Sequence, residues 1–237
     1  MRVNRKTAKT IAYCAQFAVW TVLMTFLPKT AEAYAIRTAA TAVAGIASLL
    51  ALKLMRVEPD PRDRGAKEKG WLTAADVAIG IAVGLFVFAF WVAPAPFDWY
   101  QTWLVMPTGR IAETPSPSPF DPSVCGSWLT WTKIVGSAFV IAPAEEAFFR
   151  SFLYRWVQME KDGWTAAPLS RFNASAFAWT VGLFAVEHAE FAVAAACGAV
   201  YGLLAIRRSL KSAICAHVTT NLVLGLYVVH FGHWNFW

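Results

Sequence analysis

Charge is scarce in this chain. Only 15% of its 237 residues are Asp, Glu, Lys or Arg, against about 25% in soluble proteins, and 57% are hydrophobic. That shortage excludes an ordinary soluble domain and points to one integral-membrane domain over 1–237. Cysteine is sparse too. Cys14, Cys197 and Cys215 lie in apolar runs and Cys125 in a loop, with no C-x-x-C pair, so neither a disulfide framework nor a zinc–thiolate site is expected. The sequence also lacks an internal repeat, a low-complexity segment, an H-E-x-x-H signature and a serine in a nucleophile elbow. No cleavable leader is expected, and the basic-then-apolar N-terminus reads as a first span. The net charge of +6 is spread over short loops and forms no single basic patch, which argues against nucleic acid as a partner.

What is present is a series of apolar runs at about 10–27, 34–55, 73–93, 131–155, 173–188, 191–206 and 212–230. A spanning helix needs about 20 residues. The fifth and sixth runs are short and nearly contiguous, so they are expected to form a tight helical hairpin. Lysine and arginine then set the orientation. Arg2, Arg5, Lys6 and Lys9 precede the first run, and Lys53, Arg56, Arg62, Arg64, Lys67 and Lys69 follow the second. Arg155, Lys161 and Arg171 follow the fourth run, and Arg207, Arg208 and Lys211 the sixth. The alternate connections carry only Lys29 and Arg110. The expected fold is therefore all-α: a multi-pass transmembrane helical bundle of about seven spans in the lipid bilayer, with its N-terminus inside.

The long connection, 94–130, is rich in proline and tryptophan. Pro94, Pro96, Pro107, Pro115, Pro117, Pro119 and Pro122 exclude a regular helix over most of it. Trp91, Trp99, Trp103, Trp128 and Trp131 suit the headgroup layer. It reads as an interfacial outer loop, with a lid or substrate rim as the alternative. The stretch 56–69 reads as a solvated inner loop, and Gly232-His233-Trp234-Asn235-Phe236-Trp237 as an interfacial anchor.

Polar groups inside the last four spans are the exception to this apolar pattern. Ala144-Glu145-Glu146-Ala147-Phe148-Phe149-Arg150 places two carboxylates and a guanidinium in an apolar run. A charge near the bilayer centre costs about 3 to 17 kcal/mol, so such groups face a polar interior and find partners. Glu146 and Arg150, at i and i+4, share a helix face and can pair; Glu145 lies about 100° around the helix and is left for another partner. Phe184 and His188 are one turn apart at the end of the fifth span, and His217 and Asn221 one turn apart in the seventh. Glu187, Glu190, His230 and His233 read as solvated or interfacial. Singly, each polar residue has a bland explanation: a histidine bonded to a backbone carbonyl, an asparagine as interhelical glue, an ion pair as a structural tie.

Together they form a set suited to hydrolysis. A partly desolvated carboxylate makes a good general base for water, and imidazole and amide groups can stabilise an oxyanion. Glu145, His188 and His217 could equally be a His₂Glu zinc set with an open fourth position. Spacing does not decide between them. Counting rise per residue from the inner boundary places His217 about 9 Å deep, Glu145 about 15 Å and His188 up to about 24 Å. Convergence therefore requires the short hairpin to tilt or to start below the surface.

E-E-x-x-x-R, F-x-x-x-H and H-x-x-x-N, in this order over residues 130–230, resemble the CPBP intramembrane proteases, the CAAX-processing and bacteriocin-processing endopeptidases of Rce1 type. The resemblance implies a catalytic core over 131–230. It makes Glu145 the catalytic glutamate, Glu146 and Arg150 its support, His188 a holder of the water, and His217 and Asn221 the oxyanion site. It implies a membrane-associated peptide or protein substrate, and a mechanism in which no cofactor is required, with zinc as a second option. Ala147 stands where a bulkier aliphatic residue is common in the family. Phe120-Asp121-Pro122, Phe149-Arg150-Ser151-Phe152-Leu153 and Trp234-Asn235-Phe236-Trp237 resemble a bacterial subset that accompanies exosortase protein-sorting systems. That narrower likeness implies a bacterial cytoplasmic (inner) membrane and a sorting-system partner. A non-catalytic scaffold or immunity factor of the same fold, and an ion-coupled transporter, are the competing readings.

Overall fold

Four of the long helices begin where a short polar side chain can take up an orphan N–H. Thr30 accepts from Ala33 N, Asn173 from Ala176 N and Ser209 from Ser212 N, while Thr73 and Asp76 form a reciprocal capping box. A computed structural model of the chain describes residues 5–55, 57, 61–97, 99, 117–158, 161 and 163–237. The expectations for Arg2, Arg56, Trp103, Pro107, Arg110 and Pro115 lie outside the described residues.

The long helices fall on the seven expected runs: α1 (Arg5–Phe26), α2 (Ala31–Leu54), α3 (Ala74–Val92), α5 (residues 127–158), α6 (Ala174–Val186), α7 (Phe191–Arg207) and α8 (Leu210–Phe231). A four-residue helix, α4 (Pro122–Cys125), precedes α5. The described residues are all helical or irregular, and the chain is a helical membrane bundle. By length and composition α2, α3 and α8 are long and apolar enough to cross a membrane, and α6 and α7 are apolar but shorter. Large apolar side chains point outward, among them Val43, Ile46 and Leu49 of α2 and Phe86 of α3. Hydrocarbon is as apolar as these side chains, so their outward position carries no cost there. The interior is instead rich in alanine and polar groups. All four cysteines are unpaired.

Helices α3 and α8 pack side by side because α3 has the small-residue spacing Gly80-x-x-x-Gly84. A Cβ on Gly84 would lie 2.5 Å from the Ala216 carbonyl oxygen, one residue before His217. Helix α1 packs on α2, and α6 and α7 form the expected hairpin. Helix α8 ends at Gly232 in the left-handed conformation (φ 69°), which suits a residue without Cβ.

The inner loop departs from the sequence expectation. Asp63 pairs with both Lys9 of α1, at 2.6 Å, and the fully buried Arg155 of α5. Glu68 pairs with Lys211 at 2.8 Å and accepts from Leu210 N. The Ala66 and Lys67 N–H groups donate to the carbonyls of Ile206 and Arg208. Residues 63–68 are therefore docked across the helix ends, because Asp63 finds the buried Lys9 and Arg155 there and Glu68 the partly exposed Lys211.

Candidate active site

Helix α5 carries Glu145 and Glu146 and is not a regular α-helix around them. α-Helical Ala142–Glu146 lies between two π-helical stretches, Ser137–Ile141 and Ala147–Leu153. Pro143 contributes to this, since it has no N–H and its ring crowds the carbonyl four residues back. The ladder widens to i→i−5 on both sides: Ala142 N donates to Ser137 O and Tyr154 N to Phe149 O. π-turns of this kind recur at functional sites. The sequence spacing did not reveal them.

The central finding is the position of His217. Its Nδ1 lies 3.1 Å from Glu146 Oε1 and its Nε2 lies 3.7 Å from Glu145 Oε2. Both carboxylates thus face one imidazole, at opposite nitrogens. Helical spacing predicts different partners for the two glutamates; they instead share His217, and Glu146 also pairs with Arg150. A carboxylate oxygen accepts, so the Nδ1–H of His217 donates to Glu146, and Nε2 is the nitrogen that faces Glu145 and the cavity.

Glu146 is fully buried, and its Oε2 lies 3.2 Å from Arg150 Nε. That separation makes an ion pair, but the two atoms are not aligned for a hydrogen bond. Arg150 Nη2 donates to Gly198 O at 3.1 Å, and its guanidinium lies 4.5 Å from the Phe184 ring centroid. Gly198 permits this approach: a Cβ there would fall 2.8 Å from the Phe184 ring. Phe184 also meets the rings of His188, at 4.6 Å, and His217, at 5.9 Å. The phenylalanine of the F-x-x-x-H pattern is thus the packing centre that ties Arg150 to both histidines.

His188 lies just beyond the end of α6, in the turn before α7, and so does not close the helix as the sequence suggested. Its Nδ1 is 2.8 Å from Phe184 O. A carbonyl can only accept, so Nδ1 carries the proton and Nε2 of the neutral ring offers a lone pair. The short α6 and this turn position let His188 line the same cavity as Glu145 and His217. Of the residues read as solvated or interfacial, Glu187 and Glu190 are half-buried and His230 and His233 are exposed.

Asn221 Nδ2 donates to Ser137 O at 3.1 Å. One amide N–H is thereby committed to the π-turn of α5, while the residue still lines the cavity. Tyr201 was not singled out by its place in an apolar run. It stacks on His217 at 4.7 Å and donates to Thr220 Oγ1 at 2.8 Å, and Thr220 donates to Gly84 O at 3.0 Å. This chain of contacts orients the imidazole through the face on which Tyr201 stacks.

The cavity has a volume of about 200 Å³. A site needs only about 10–15 Å³ by this measure to hold a water, so there is room for a water and part of a substrate. One end is polar, with Glu145, His188, His217 and Asn221; the other is aromatic and is lined by Tyr34, Phe236 and Trp237. The C-terminal residues are thus part of the cavity wall as well as lying at the end of the bundle.

Two cations near the aromatic end also escaped the spacing argument. Lys133 Nζ lies 4.2 Å from the Tyr34 ring, 5.1 Å from Phe120 and 5.7 Å from Trp237. Arg37 sits over Trp20 at 5.1 Å and Tyr34 at 5.5 Å. Cation–π contacts contribute about 0.5–2 kcal/mol each, against roughly 3–17 kcal/mol for a charge within a span. Among the described residues neither cation has a carboxylate partner, and the buried Arg37 Nε has no hydrogen bond.

Among the described residues no group of three or more His, Cys, Asp or Glu is arranged to hold a metal ion.

Residues 127–223 match the family model for type II CAAX prenyl endopeptidase, Rce1-like. This segment is similar to the Rce1-like family. No curated protein and no solved structure matches the chain significantly. The Rce1-like family is a protease family of membrane proteins. Glu145, Glu146, Arg150, His188, His217 and Asn221 all lie inside the matched segment, whereas Tyr34 and Arg37 come from α2, outside it.

Proposed function

We propose that the chain is a glutamate-dependent intramembrane endopeptidase that hydrolyses a peptide bond of a membrane-associated protein or peptide. The observation that carries this is the His217 imidazole, fixed through Nδ1 by a buried carboxylate and facing a second carboxylate and the cavity through Nε2. Glu145 is the base. It takes a proton from a water held between its carboxylate and the Nε2 lone pair of His188 as the oxygen attacks the scissile carbonyl carbon. Negative charge gathers on the carbonyl oxygen, where the remaining Asn221 amide N–H, and His217 when protonated at Nε2, stabilise it. As the C–N bond breaks, Glu145 passes its proton to the leaving nitrogen, giving a new carboxylic acid and a new amine, between which the acid proton then moves to leave a carboxylate and an ammonium. Glu146, Arg150 and Tyr201 position His217. No metal takes part in these steps.

The seven helices are proposed to be seven crossings, with the N-terminus on the cytoplasmic side of a bacterial inner membrane. The likeness of Phe120-Asp121-Pro122 and the Trp234–Trp237 ending to exosortase-associated proteins supports a sorting-system peptide as the substrate. Phe120 itself is buried between Tyr34 and Trp237, both of which line the cavity. The test is cleavage by purified protein in liposomes, using peptide pools that span apolar membrane segments. Glu145→Gln and His217→Ala should each abolish turnover while the helical circular dichroism stays unchanged. Wild-type turnover in both variants would overturn the proposal.

A further inference from the structure

We infer that Lys133, backed by Arg37, forms a carboxylate-binding subsite at the aromatic end of the Glu145 cavity, and that it takes an acidic side chain or free carboxyl terminus of the substrate. This rests on the endopeptidase reading above. Lys133 lines the same cavity as Glu145, so an anion held there can belong to the molecule being cut. Lys133 is surrounded by aromatic faces, and its charged neighbour among the described residues is another cation, Arg37. Arg37 is itself buried, with its Nε unpartnered. Two neighbouring cations without an acid among the described residues leave a positive field that an anion satisfies, and in a water-poor site such charge-assisted bonds are strong. A headgroup phosphate would meet the same charge. The cavity running from Lys133 to Glu145 favours an anion attached to the scissile peptide.

The spacing limits where that anion sits. Lys133 and Glu145 are twelve residues apart on one helix, at most about 18 Å at the α-helical rise of 1.5 Å per residue, and less because the π-helical stretch Ser137–Ile141 lies between them. An extended peptide covers about 3.3–3.6 Å per residue. The carboxylate therefore falls within about five residues of the bond that is cut. Because Arg37 and Tyr34 lie outside the matched segment, this subsite is built jointly by α2 and α5 and is a feature of the whole chain.

The test uses fluorescence-quenched apolar peptide pools in phosphatidylcholine liposomes. Each pool carries Asp or Asn at one position, or a free-acid or amide C-terminus, which separates the two carboxylate sources. The wild type should prefer one acidic pool by about tenfold or more, as a charge-assisted contact implies. Lys133→Met should erase that preference by lowering cleavage of the acidic pools relative to the neutral ones, Lys133→Arg should restore it, and Arg37→Met should weaken it. An unchanged preference in Lys133→Met overturns the inference. So does an equal loss on acidic and neutral pools, and so does a loss that follows added phosphatidylglycerol, which would mark a lipid site. Melting of the Glu145→Gln protein with each pool makes the same comparison without turnover. Acidic pools should raise the melting temperature more than neutral ones, and Lys133→Met should remove the difference; equal shifts overturn the inference. If Glu145→Gln itself cleaves at the wild-type rate, the endopeptidase reading fails; if it is inactive and selectivity ignores Lys133, only the subsite fails.

Discussion

Changing Glu146 to Gln removes one charge from the centre of the bundle with almost no change of shape. Glu146 is fully buried between Arg150, 3.2 Å away, and His217, 3.1 Å away. Without its charge, the 2% exposed Arg150 keeps only the Gly198 carbonyl and aromatic faces. Breaking a buried pair in this way costs about 3–5 kcal/mol. For a chain of this size each kcal/mol moves the melting temperature by about 2–4 °C, so Glu146→Gln should melt about 6–20 °C below wild type. Arg150→Met strands the carboxylate instead and should destabilise comparably. The double variant, Glu146→Gln with Arg150→Met, leaves no unpaired charge and should melt above either single one.

Activity should divide differently. Arg150→Met keeps the carboxylate that holds the His217 Nδ1 proton. Glu146→Gln can present an amide N–H to that nitrogen and select the other tautomer, a change worth about 10⁴-fold in a comparable carboxylate–histidine pair. Turnover should therefore fall much further in Glu146→Gln, and the double variant should recover stability without recovering turnover. Melting in detergent micelles by tryptophan fluorescence, with turnover in liposomes, measures both. Two single variants that melt with wild type, or a double that melts below both, would refute the buried-pair reasoning; full activity in Glu146→Gln would refute the tautomer role.

Other consequences are directly measurable. Asp63→Asn leaves the fully buried Arg155 and nearly buried Lys9 without their shared carboxylate, and melting should show a loss of about 3 kcal/mol or more. Tyr201→Phe keeps the ring on His217 and loses only the bond to Thr220, so it should cost about 0.5–1.5 kcal/mol and retain most turnover. Tyr201→Ala removes the stack and should lose turnover; equal activity in the two would rule out a positioning role. Gly84→Val drives a side chain against the Ala216 carbonyl and should prevent α3 and α8 from packing, seen as loss of folded, monodisperse protein.

The helices were legible in the sequence because long apolar runs separated by basic loops admit few other structures in a bilayer. The site residues were legible for a local reason: Glu146 and Arg150, Phe184 and His188, and His217 and Asn221 each stand one helical turn apart. What depends on how helices cross was not. The sharing of His217 by both glutamates needs α8 to pass α5 at one height, and Tyr201 declares itself only by stacking there. The π-turns around Glu145 follow from Pro143 together with packing, and His188 lies past a helix end that the apolar run does not mark. Arg37 and Lys133 are a different kind of omission. They carry the same signal as Glu145, a charge inside an apolar run, but no nearby residue completes a familiar motif. The docking of residues 63–68 was hidden because Asp63 and Glu68 find their partners at the ends of distant helices.

The most direct test of Glu145 as the water-activating base is turnover of Glu145→Gln beside the wild type, each before and after exhaustive chelation, in the same liposomes. Glu145→Gln should show no turnover under either condition, and the wild type should retain its turnover after chelation. Turnover by Glu145→Gln, or a wild type silenced by chelation and restored by zinc, would contradict it.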